Sequence, residues 1–204
     1  MGLEFLIICF LFHLFLAVCF VHKNTINTFS SRLLMGGGPI RADSLPYLID
    51  AIRSRSKDTD AIISIINTIS TNNKVYMESN MNYISGRWKL IWTSNRESLY
   101  SSPTHLYQSI DLIARTIQTD LIRTSNLNLA LTGTIVKDNT QYKTRLYYAY
   151  DNIQLVTKLF SLTLPVLSSK GRSDNLYVNG RYRISRDKSG RLYVYELSTY
   201  QTSI

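Results

Sequence analysis

From Gly86 onward the chain alternates with a period of two, and that rhythm restricts the segment to half-buried β-strands. In Gly86-Arg87-Trp88-Lys89-Leu90-Ile91-Trp92-Thr93, alternation puts Trp88, Leu90 and Trp92 on one face and Arg87, Lys89 and Ile91 on the other. Further strands are expected at Leu106–Leu112, Thr116–Arg123, Asn128–Val136, Gln141–Tyr150, Leu176–Ser185 and Arg191–Ser198. Asp138-Asn139 and Asp187-Lys188-Ser189-Gly190 carry hairpin-turn chemistry between them. Consecutive antiparallel strands with short turns predict a meander that closes into a barrel, because closure removes exposed edges. The segment Val156–Asn175 breaks the pattern, with an apolar half, Leu159–Leu167, before a polar tail. It reads as a lid or flap, or else as a short core strand.

Two short amphipathic helices are expected before the strands. Leu45, Leu48, Ile49 and Ile52 repeat at helical spacing, with Asp43 or Ser44 as cap, Pro46 in the first turn, and Arg53 and Arg55 at the end. Asp58 or Thr59 opens the second helix, whose apolar stripe is Ile62, Ile65, Ile66 and Ile69. Neither helix has the Lys-rich polar face of an interfacial membrane helix, so both stripes are expected to pack on the domain.

The first 42 residues read as an address. Leu3–Val21 is nearly all apolar, broken by Glu4 and His13, and Ala17-Val18-Cys19 offers a signal-peptide cleavage site. The same run is long enough to be a signal anchor. Residues 20–42 contain Lys23, Arg32 and Arg41, are rich in Ser, Thr and Asn, and hold no acid, which is transit-peptide composition. A signal peptide over 1–19 followed by such a segment resembles the bipartite leaders of proteins bound for complex plastids, with Phe20 first after cleavage. A flexible secretory linker is the plainer alternative. The folded domain is then 43–204.

Charge and residue content narrow the chemistry. All 23 Lys and Arg lie beyond His22, while residues 1–19 hold only Glu4 of the 14 acids, so the mature charge is 23 − 13 = +10. That favours anionic partners, but the charges are scattered and no basic run is interleaved with aromatics as in a nucleic-acid binder. Both cysteines, Cys9 and Cys19, sit in the leader, so the domain has neither a disulfide nor a thiolate metal site. His105 is the one domain histidine and follows Pro103 as a loop residue, with no nucleophile-elbow motif nearby. Asp111 and Asp120 could be paired carboxylates, although strand-end aspartates are the commoner case. Gly36-Gly37-Gly38 lacks the strand–helix context of a phosphate loop. No catalytic residue, metal or cofactor is expected.

Four pieces of the domain are similar to the plastid lipid-associated protein family, the plastid fibrillins (PAP-fibrillin domain). They are Gly86-Arg87-Trp88-Lys89-Leu90 with Thr93-Ser94, Tyr107-Gln108-Ser109-Ile110-Asp111, Tyr182-Arg183-Ile184-Ser185-Arg186, and Gly190-Arg191-Leu192-Tyr193-Val194. Their order and spacing run from about Asp43 to Leu197. One departure is Asn179-Gly180-Arg181, where the family has acidic residues. The resemblance implies a mainly β fold, a lipocalin-like antiparallel β-barrel preceded by two short α-helices. It implies a non-enzymatic plastid protein at plastoglobules or thylakoid membranes that binds or organises apolar or acidic lipids, including isoprenoid- or fatty-acid-like molecules. The alternative is an interaction module whose basic exterior docks a plastid enzyme or an anionic membrane. An interior lined by Trp88, Leu90, Trp92 and tyrosines such as Tyr193 offers apolar walls with polar handles. Bare alternation turns Tyr182 and Ile184 inward and Arg183 outward, whereas the resemblance turns Arg183 inward, near Trp88. There it would either stack as a structural closure or face an acidic headgroup.

Overall fold

The computed structural model describes residues 44–56, 58–72, 81–94, 105–124, 127–136 and 144–198. The leader, Asp43, Asn73 and the Asp138-Asn139 turn lie outside the described residues. Among the described residues two helices come first, α1 over Ser44–Arg53 and α2 over Thr59–Asn72. Helix α1 ends where Arg55 takes a left-handed φ of 54°. There Ser56 N donates to the Ala51 carbonyl oxygen (3.1 Å) and Arg55 N to that of Ile52 (3.1 Å), which satisfies orphan carbonyls of the last turn. Helix α2 is capped by Asp58, whose Oδ1 accepts the Ala61 N–H at 2.9 Å.

A 3₁₀ turn, Met81–Ile84, leads into the strands, which among the described residues are eight and antiparallel: β1 Gly86–Thr93, β2 His105–Asp111, β3 Thr116–Thr124, β4 Leu127–Val136, β5 Arg145–Thr157, β6 Ser161–Val178, β7 Tyr182–Asp187 and β8 Leu192–Leu197. Each strand pairs with the next, and β1 pairs with β8, so the hydrogen-bonded sheet closes into a ring. The β1–β2, β3–β4, β5–β6 and β7–β8 connections therefore lie at one end, and the other connections at the opposite end.

Three expectations change. The fifth strand runs on to Thr157, and Val156–Asn175 is mostly the 18-residue strand β6 rather than a lid. Pro165 is tolerated because β7 stops at Asp187 opposite Ser173, which leaves Ser161–Arg172 as an edge on that side. The strand expected over Leu176–Ser185 is two strands, because Asn179-Gly180 is turn chemistry. The Asn179 Oδ1 accepts the N–H groups of Arg181 (2.9 Å) and Tyr182 (2.6 Å), reversing the chain.

Two apolar cores result. Outside the ring, Leu48 and Ile49 of α1 and Ile62, Ile66 and Ile69 of α2 cover Trp92, Tyr182, Ile184, Leu192 and Val194. Inside it, Ile84, Trp88, Ile110, Ile117, Ile135, Leu146, Val178 and Tyr195 pack together. Trp92 thus departs from the face of Trp88 and Leu90. A β-bulge between Leu90 and Trp92 sets Leu90 opposite Tyr195 but Trp92 opposite Val194, which puts Trp92 under the helices.

Candidate functional site

The site grows from one charged side chain. Arg183 is 1% exposed, on β7 and inside the ring. Its Nε donates to Asn175 Oδ1 at 3.0 Å and its Nη1 to Gln108 Oε1 at 2.8 Å. Its guanidinium carbon lies 4.8 Å from the centroid of the Tyr195 ring, a cation–π distance. Tyr195, not Trp88, is therefore its stacking partner. Among the described residues no carboxylate forms an ion pair with it; the ion pairs at Arg53, Arg87, Arg145, Arg172 and Arg181 lie elsewhere. Arginine keeps its charge in proteins, so the interior holds a cation with neutral partners only.

Tyrosines surround it. Tyr148 and Tyr150 meet edge to face at 5.2 Å, and Tyr193 stacks on Tyr195 at 6.3 Å. The Tyr150 hydroxyl shares a 2.6 Å hydrogen bond with Thr119 Oγ1. The Tyr193 hydroxyl donates to Asp187 Oδ2 at 3.0 Å. Burial pushes the Tyr195 hydroxyl up to about 12, against the opposing pull of the Arg183 charge. Burial likewise raises Tyr148, Tyr150 and Tyr193. For Arg183 burial acts in the opposite sense and lowers its pKa.

On either side of this polar layer the ring is apolar. Below it Trp88 is fully buried, with its Nε1–H donating to the Ile84 carbonyl oxygen at 2.7 Å. Above it the register aligns Leu106, Leu121, Leu129, Leu155 and Leu162 in one row across β2 to β6. All five are half-buried rather than sealed. The next row runs through Gln108 and Thr119 of the polar layer to Leu131, Ile153 and Leu164, and Leu164 is 40% exposed.

Of the residues singled out in the sequence, Trp88, Leu90, Arg183 and Tyr193 share the interior, and Trp92 does not. Sequence reading missed Gln108, Asn175, Tyr148, Tyr150, Tyr195 and the leucine row. Gln108 had a signal, as a polar residue between Leu106 and Ile110 on one strand face. The row had none, because it depends on the register of five strands. Asp111 and Asp120 do not pair: Asp111 Oδ1 accepts the Ile113 and Ala114 N–H groups, while buried Asp120 is held by Gln118 and Arg87. A separate depression of about 670 Å³, lined by Gly86, Arg87, Ser109, Gln118 and Thr132, lies away from Arg183. Its cation, Arg87, is already engaged by Asp120 and stacked on Tyr107 at 4.6 Å, so it has less to offer an anion.

Among the described residues no three His, Cys, Asp or Glu side chains gather as a metal site. No helix among them is long and apolar enough to cross a membrane. The chain matches no protein-family model, no curated protein and no solved structure.

Proposed function

We propose that this chain is a non-enzymatic, plastid lipid-associated protein whose lipocalin-like barrel holds an acidic amphipathic lipid. One observation carries the reading: a fully buried Arg183 with only neutral partners, beneath a row of five half-buried leucines. A buried charge costs several kcal/mol unless it is paired. A carboxylate placed at the guanidinium would offset that cost, and the leucine row would take the hydrocarbon tail. A few polar groups at the base of an apolar wall is the arrangement that orients an amphipathic ligand. The plastid setting, at plastoglobules or thylakoids, follows from the resemblance to the fibrillins and from the composition of residues 1–42.

The test compares a long-chain fatty acid with the alcohol of equal length. A ligand that binds only the folded state raises the melting temperature. The acid should raise it more than the alcohol, and Arg183→Leu should erase that difference. Equal shifts in the wild-type chain would sink the acidic-lipid reading. A barrel with a packed interior that works through its basic exterior would then be the better account.

A further inference from the structure

We propose that the tip of the β5–β6 hairpin, Leu159 and Phe160 beside Lys158, enters the surface of a bilayer that carries anionic lipid. Leu159 is 94% exposed and Phe160 48%, adjacent residues in the turn of the longest hairpin. Before Ser173 the β6 strand has no β7 partner, so the hairpin projects past the shorter β7 and β8.

Exposed apolar residues at a turn tip usually bring unsatisfied backbone with them, which opposes insertion into a nonpolar phase. Here Thr157 seals the turn. Its Oγ1 accepts the N–H groups of Leu159 (3.2 Å) and Phe160 (3.1 Å), and its hydroxyl donates to the Phe160 carbonyl oxygen (3.0 Å). The Thr157 N–H donates to the same oxygen at 2.9 Å. The tip therefore presents two apolar side chains over a hydrogen-bonded turn.

Charge selects the surface. The β7–β8 turn at the same end of the ring exposes Lys188. The acid beside it, Asp187, is occupied: its Oδ1 accepts the Ser189 and Arg191 N–H groups and its Oδ2 the Tyr193 hydroxyl. Lys158, exposed beside the tip, puts a cation at the point of contact, and Lys188 adds a second farther back, which suits an anionic leaflet. Ile113, 96% exposed, lies at the opposite end in a turn built around the Asp111 carboxylate, so it makes an internal control. The proposal rests on the lipid-handling reading only for what would pass between bilayer and barrel.

The experiment places a tryptophan in the full chain, as Phe160→Trp or Ile113→Trp, and measures quenching by brominated lipid. The vesicles are phosphatidylcholine with or without phosphatidylglycerol. Residues 3–21 can hold the chain on either vesicle, so depth of the probe is read rather than binding. Native Trp88 and Trp92 are buried, so their emission is a constant, subtracted with the unsubstituted chain. The tip probe should lose most of its added emission on the anionic vesicles, the Ile113→Trp probe should lose little, and Lys158→Glu should remove the anionic preference. An unquenched tip probe would overturn the proposal and leave the tip to a protein partner. Equal quenching of the tip probe on neutral vesicles would overturn the charge selection. Arg183→Leu should leave tip quenching intact, so this result and the fatty-acid test fail independently.

Discussion

Trp88 packs inside the ring with no exposed surface, and its indole N–H is spent on the Ile84 carbonyl. Trp88→Ala removes a large buried side chain and strands that carbonyl. The expected loss is about 3 to 5 kcal/mol, read from a denaturant melt. A loss within about half a kcal/mol, the surface range, would contradict the burial. The burial of Trp88 was legible because its strand has one apolar face there. Arg183 is harder, and the reason is physical. Both faces of β7 are buried, Tyr182 and Ile184 beneath the helices and Arg183 inside the ring. Alternation separates two faces but does not say which is the interior when helices cover the outer one. Trp92 misled for a related reason: a single inserted residue at the bulge reversed its side.

Strand β4 depends on a glycine where β5 bulges toward it. A Cβ on Gly133 would stand 2.0 Å from the Ala149 carbonyl oxygen and 2.7 Å from Tyr150 Cα, both backbone atoms. The register shifts at that point, between Thr132 and Gly133. No rotamer change relieves such a contact, so strands must separate. Gly133→Ala should destabilise by about 1 to 3 kcal/mol, as overpacking does, seen as a lower denaturant midpoint with an unchanged slope. An unchanged midpoint would mean that the bulge is not held as described. Both helices were legible because their isoleucine and leucine stripes repeat at helical spacing over two or more turns. β6 was not. Its alternation of Leu162, Leu164 and Val166 is interrupted by Pro165 and followed by Ser168-Ser169-Lys170-Gly171, a composition that suits a loop. Pairing with the whole length of β5 overrides that local preference, as tertiary context often does for strands.

At the scale of the molecule, the ring stores several tyrosines around one cation, and this fixes how stability responds to alkali. A free tyrosine ionises near pH 10. Burial holds Tyr195 protonated up to about 12, and Tyr148, Tyr150 and Tyr193 shift in the same direction. The folded chain therefore keeps protons that the unfolded chain releases. Stability is linked to pH through that difference, so the tyrosine contribution is whole below pH 10 and falls as pH rises toward 12. Alkaline titration should give one cooperative step, in which tyrosinate absorbance and loss of the far-ultraviolet β signal coincide above pH 10. If Tyr148, Tyr150, Tyr193 and Tyr195 ionised near pH 10 while the β signal persisted, the interior would be open to hydroxide, and Arg183 would be no more shielded than an arginine on the surface.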